Sequence, residues 1–188
     1  MPEAVGLVID IETTGFSARD EVIEVGAVLF GYNTETGRIT ELLDQCAGLR
    51  EPDVPIRAAA AAVSGLTDEM VRGQALDVRR LRYMIEIADL IFAHNAAFDQ
   101  RFISKLFPKA AVKPWACTMS QVQWALEMVP RRNLDAIAAH YGISRPSPHR
   151  AIHDAKVVLS LLRRRNHRGV AHIHELHRAA FPQSSSAS

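Results

Sequence analysis

Asp10 and Glu12 stand two residues apart at the end of the first apolar run of the chain, Val5-Gly-Leu-Val-Ile-Asp10-Ile-Glu12. Side chains at i and i+2 share one face of a strand. The run therefore projects two carboxylates in one direction, roughly 6–7 Å apart along the chain. Two like charges facing a core are costly unless a cation lies between them. A divalent-metal site is the simplest chemistry; the alternative is a strand end that emerges into water with both acids solvated.

Two further clusters carry the same kind of side chain. His94-Asn95-Ala-Ala-Phe98-Asp99 follows a short apolar stretch. It sets Asp99 in a first helical turn after a strand, where sites on α/β sheets gather. The alternative role for Asp99 is to complement the positive helix terminus, worth about 0.3–1 kcal/mol. His149-Arg150-Ala-Ile-His153-Asp154 follows the stiff Arg145-Pro-Ser-Pro148. Two histidines four apart evoke a zinc helix of the H-E-x-x-H kind, but Arg150 stands where that motif needs its Glu base, which excludes a zinc peptidase. A solvated histidine and an exposed acid are the plainer reading of this cluster.

The elements that must position these groups are legible from periodicity. Residues 5–11, 22–32 and 38–46 read as strands of an antiparallel meander separated by turn residues. The period then changes to helical. Residues 56–63 are Ala-rich, Thr67 is placed to cap a helix, and 75–88 carry an apolar helical stripe. Residues 90–93 read as a buried strand, 96–107 as a helix capped by Asn95, 115–117 as a fifth strand, and 118–128 as a helix. A helix over 133–141 closes at Gly142. Ser147 and Pro148 are placed to start a helix running to about residue 165, and a last helix spans 170–180 before a frayed tail from 182. Meander strands followed by alternating helices and strands predict an α/β fold, a mixed sheet flanked by helices on both faces. We divide the chain into a domain over residues 1–166 and a short C-terminal helix and flexible tail over 167–188.

Taken together, Asp10-x-Glu12-Thr13-Thr14-Gly15, His94-Asn95-x-x-Phe98-Asp99 and His149-x-Ala-x-x-Asp154 make the chain resemble the DnaQ-like 3′–5′ exonuclease family, in its DEDDh branch. The resemblance covers residues 5–165. It implies an RNase H-like fold, a five-stranded mixed sheet whose second strand runs against the others. It implies that Asp10, Glu12, Asp99 and Asp154 hold two divalent cations, Mg²⁺ or Mn²⁺, and that His149 is the general base. It also implies that Thr13, Thr14 and Gly15 let the backbone approach a terminal nucleotide. Where many relatives carry His-Gly-Ile-Thr, this chain has Ser64-Gly65-Leu66-Thr67, leaving Leu66 as an apolar wedge against a base.

Asn95, Phe98 and Arg150 complete the expected substrate-binding set. Trp115 and Trp124 are read as core residues, and the histidines at 167, 172, 174 and 177 as a polar helix face. The expected substrate is the 3′ end of single-stranded or frayed DNA, cut to nucleoside 5′-monophosphates. RNA is the alternative substrate, a non-catalytic nucleic-acid-binding module the alternative class, and a DNA polymerase the candidate protein partner.

Composition narrows the field. Of 188 residues, 48% are hydrophobic and 23% charged, and the net charge is +1. No global basic field is present to coat DNA irrespective of sequence, so any contact with nucleic acid is local. Two cysteines without C-x-x-C spacing fit a reducing compartment, and the absence of a signal-like segment or a membrane-length apolar run sets the expectation of a cytoplasmic protein without membrane contact.

Overall fold

A computed structural model describes residues 3–145 and 147–182. Strands β1 (Glu3–Thr13), β2 (Val22–Asn33) and β3 (Ile39–Leu49) form the expected meander, joined by β4 (Leu90–Ala93) and β5 (Trp115–Cys117). The sheet order is β3-β2-β1-β4-β5. β2 is antiparallel to both neighbours, whereas β1, β4 and β5 run parallel, so β2 alone is reversed.

Helices cover both faces. Leu7, Ile9 and Ile11 of β1 pack in a core with α3 (Val78–Ile87) and α4 (Ala96–Leu106). Val8, on the opposite face, packs in a second core with α5 (Leu134–His140), α6 (Ala151–Leu162) and α7 (His172–Ala180). Alternation along β1 then puts Asp10 and Glu12 in the row begun by Val8, beneath α6. The short helices α1 (Ala58–Ser64) and α2 (Asp68–Val71) follow β3 and close a small satellite core of Ile23, Leu66 and Val71. Ile173 and Leu176 of α7 belong to the main core on the α6 face. Both cysteines are free, and among the described residues no helix is long and apolar enough to cross a membrane.

Two helices differ from the sequence reading. Residues 118–128 form consecutive turns instead of a helix. Trp124 is drawn into the core with its indole N–H donating to the Thr118 carbonyl at 2.7 Å, and Met128 takes a positive φ of 58°. Core burial of one large ring overrides the local helical preference. The helix expected from Ser147 begins instead at Ala151, because His149 adopts a left-handed φ of 59° and a carboxylate from β2, Glu24, accepts the Ala151 N–H at 3.2 Å. Asn95 does precede α4, with φ of 78°, but its side chain makes no cap hydrogen bond; the Ala96 N–H instead meets Cys117 Sγ at 3.4 Å. The expected tail beyond residue 182 lies outside the described residues.

Among the tail histidines, only His172 is wholly buried, stacked on Trp124 with neither ring nitrogen hydrogen-bonded. His174 bonds to the Thr34 carbonyl, His177 to the Tyr32 hydroxyl and His167 to Glu127. These histidines fasten the C-terminal segment, so a polar helix face does not describe them.

Candidate active site

The end of β1, the start of α4 and the start of α6 meet at one cleft of about 360 Å³. Asp10, Glu12, Asp99, His149 and Asp154 all line it. A ligand atom of Glu12, His149 and Asp154 each lies within 4.8 Å of the others. Asp99 is 3% exposed, in the first turn of α4.

What lets α6 descend on the strand is Gly26. It faces Asp10 across the β1–β2 ladder, and a Cβ there would lie 2.2 Å from the Ala151 carbonyl carbon and the Ile152 nitrogen. Only a residue without a side chain leaves room for a helix backbone this close.

The next pair on the same face of the ladder is Glu12 and Glu24. Glu24 is 2% exposed and holds the incoming helix from below. Its Oε1 accepts from Arg150 Nε and Nη2 at 3.0 and 2.9 Å, and its Oε2 accepts the Ala151 N–H. A carboxylate at a helix N-terminus satisfies an orphan N–H and meets the positive end of the dipole. The signal was present as a charge inside an otherwise apolar strand, Val22-Ile-Glu24-Val-Gly26. Arg150, expected in the substrate-binding set, is thus engaged with Glu24.

The electrostatics are those of crowded acids. Burial, then the neighbouring charges of Asp99, Asp154 and Glu12, push the Asp10 carboxyl well above the usual range. Burial likewise raises Asp99. Glu12 is pushed up to about 8, first by burial and then by the charges of Asp154 and Glu24. Groups that resist ionisation in this way lack compensating positive charge. Arg145 supplies some of it: its Nε and Nη2 fork onto Asp154 Oδ1 and Oδ2 at 2.7 and 2.5 Å, and its Nη1 reaches Asp135. The His149 N–H donates to Asp154 Oδ2 at 3.2 Å. His94 sits between Thr118 Oγ1 and the Arg132 carbonyl, both at 2.9 Å, and burial lowers it to about 4, so it is neutral near pH 7.

The residues around the first acids divide by position. Asn95 and Phe98 line the cleft. Thr13, Thr14 and Gly15 do not: Thr13 Oγ1 donates to the Gly15 carbonyl at 2.6 Å, and Thr14 Oγ1 donates to Asp20 at 3.1 Å. Asp20 also accepts from the Ser17 N–H and from Arg57 Nε. A Cβ on Gly15 would fall 2.7 Å from Arg57 Cδ and 2.8 Å from Asp20, so this glycine admits that ion pair. Asp20, unnoticed in the sequence, thereby fixes the turn that ends β1.

Leu66 is 0% exposed in the satellite core. The exposed apolar residues at the cleft are Val63 and Phe16; Phe16 is 67% exposed, with its ring 6.0 Å from that of Phe98. Trp124 is a core residue, and Trp115, half-buried, donates its indole N–H to the Ala110 carbonyl.

A five-stranded sheet of this order with an acidic cleft at the end of its central strand is that of the RNase H-like fold. The chain belongs to the DnaQ-like exonuclease family: the RNase T family model, described as an exonuclease, matches residues 7–162. It is 32% identical over 163 residues to a PolC-type DNA polymerase III of Clostridium perfringens, a match covering 84% of this chain and 11% of that protein. The chain thus spans about a tenth of the length of such relatives. Its fold matches Exonuclease X in complex with 5′-overhanging duplex DNA (TM-score 0.58, 24% identity, 81% of this chain and 85% of that one). It also matches the zinc-bound form of an E. coli Exonuclease I complex with single-stranded DNA (TM-score 0.68, 16% identity, 95% and 41%).

Proposed function

We propose that this chain is a 3′–5′ exonuclease of the DEDDh type, which removes nucleoside 5′-monophosphates from the 3′ end of DNA. The observation that carries the reading is the convergence of Asp10, Glu12, Asp99, Asp154 and His149 on one cleft, with three of the carboxyls held above their usual pKa.

The donor set fits two hard divalent cations, Mg²⁺ or Mn²⁺. It is built of carboxylate oxygens, and these buried acids need positive charge before they can ionise together. When bound, such ions would neutralise charge building on the attacking and leaving oxygens of a phosphodiester. Asp10, Glu12, Asp99 and Asp154 would hold the ions.

The chain's own residues do the rest. His149, on the loop entering α6, takes the proton of the attacking water, imidazole being the side chain that changes charge near neutral pH. The Phe16–Phe98 pair and Val63 give a terminal base an apolar surface that does not discriminate sequence. Asn95 offers a polar contact at the same rim.

DNA is favoured over RNA because the relative is a DNA polymerase and both structural neighbours hold DNA. That kinship also makes a DNA polymerase the candidate partner. The test is parallel digestion of 5′-labelled DNA and RNA oligomers, in Mg²⁺, in Mn²⁺ and with chelator. A metal-dependent ladder shortening from the 3′ end, with mononucleotide products, is expected on DNA. A faster ladder on RNA would transfer the assignment to an exoribonuclease, and no hydrolysis of either would leave a nucleic-acid-binding module.

A further inference from the structure

Arg145 is placed against the cluster in a way that the proposed chemistry does not use. Its side chain is 7% exposed and lines the acidic cleft. It grips Asp154 through two parallel N–H···O contacts, Nε to Oδ1 at 2.7 Å and Nη2 to Oδ2 at 2.5 Å. The His149 N–H adds a third donor at 3.2 Å on Oδ2. A carboxylate offers about four acceptor positions, so three of those on Asp154 are filled by the protein itself. A divalent cation and the Arg145 fork are therefore rivals for the same oxygens.

The opposite side of the guanidinium is fixed by Asp135 of α5, which is exposed. Arg145 thus has a second carboxylate to stay on at the cleft wall when it releases the first.

We propose that Arg145 is a displaceable internal counter-cation that competes with a divalent ion for Asp154 and so sets how much free metal the cleft needs. This rests on the two-cation reading above and deepens it. Buried acids without positive charge repel one another; the guanidinium relieves this while leaving the carboxylate oriented toward the cleft. The same relief weakens the hold of Asp154 on an incoming ion, because entry must break a charge-assisted fork. Arg145 is a positioning residue here, not a catalytic one.

The test is Mn²⁺ binding to the whole chain by calorimetry and electron paramagnetic resonance, without nucleic acid. Wild type is expected to bind two ions. Arg145→Gln should tighten one of them about tenfold to a hundredfold, the scale of a lost charge-assisted fork, and change the other less. Arg145→Lys, which keeps the charge but not the fork, should fall between and covers the case in which the Gln variant does not fold. The concentration of Mn²⁺ giving half-maximal thermal stabilisation should fall in parallel.

Two-ion binding in wild type with neither ion bound more tightly in either folded variant would overturn the proposal while leaving the metal reading intact. No Mn²⁺ binding by wild type would instead overturn the two-cation reading, and this proposal with it.

Discussion

Replacing Glu12 by Gln gives the sharpest test of the electrostatic argument. Its carboxylate lies within 4.8 Å of that of Asp154. At an effective dielectric near 20, two unit charges at that distance repel by about 3–4 kcal/mol. The rise of the Glu12 pKa from 4.5 to about 8, driven first by burial and then by the charges of Asp154 and Glu24, corresponds to about 5 kcal/mol. A carboxyl with a raised pKa in the fold binds its proton more tightly there than in the unfolded chain. Stability is thus fully present below about pH 4.5 and is lost as pH climbs toward 8.

Between pH 6 and pH 8 that loss is about 2 kcal/mol, and allowing up to half for solvent screening leaves roughly 1–2 kcal/mol. For a chain of this size each kcal/mol moves Tm by about 2–4 °C. In chelator, Glu12→Gln should therefore be more stable than wild type, with a margin that widens by about 2–8 °C between pH 6 and pH 8 in thermal unfolding followed by circular dichroism. Added Mg²⁺ should reverse the order, because wild type then gains a ligand charge that the variant lacks. A margin that stays flat with pH, or a wild type more stable at pH 8 than at pH 6 in chelator, would refute the account of crowded, uncompensated acids.

Other outcomes follow from single contacts. His149→Ala should slow mononucleotide release by roughly 10²–10⁴-fold while Mn²⁺ binding persists; turnover near wild type would remove His149 as the base. Gly26→Ala, which puts a methyl 2.2 Å from the α6 backbone, should destabilise the chain by about 1–3 kcal/mol or more and weaken metal binding together, read by denaturant melts and Mn²⁺ titration. Glu24→Gln should unfasten Arg150 and the start of α6, lowering Tm with little change in the affinity for short single strands. His172→Leu should raise Tm, most at pH below about 6.5, because burial lowers the His172 pKa and neither ring nitrogen has a hydrogen-bond partner.

The α/β class, the five strands and the four acids and one histidine that line the cleft were legible in the sequence, because they depend on local matters. Alternation writes β1 and β2, Pro and Gly mark the turns, and two acids at i and i+2 must share a face. The resemblance of the three motifs then implied that distant acids belong together.

What the sequence left open were contacts between segments far apart in the chain. Nothing near Glu24 indicates that it holds Arg150 and Ala151, 126 and 127 residues away. The start of α6 was misplaced for that reason: its cap is a carboxylate from another strand, whereas Ser147 and Pro148 offer only a local one. The turns at 118–128 yielded to the burial of Trp124.

Residue type and period determined which groups exist and which way each points along its own element. Tertiary packing, through the missing side chain of Gly26 and the buried charge of Glu24, decided that those groups meet. Convergence is a property of distances between elements, and no local pattern encodes such a distance.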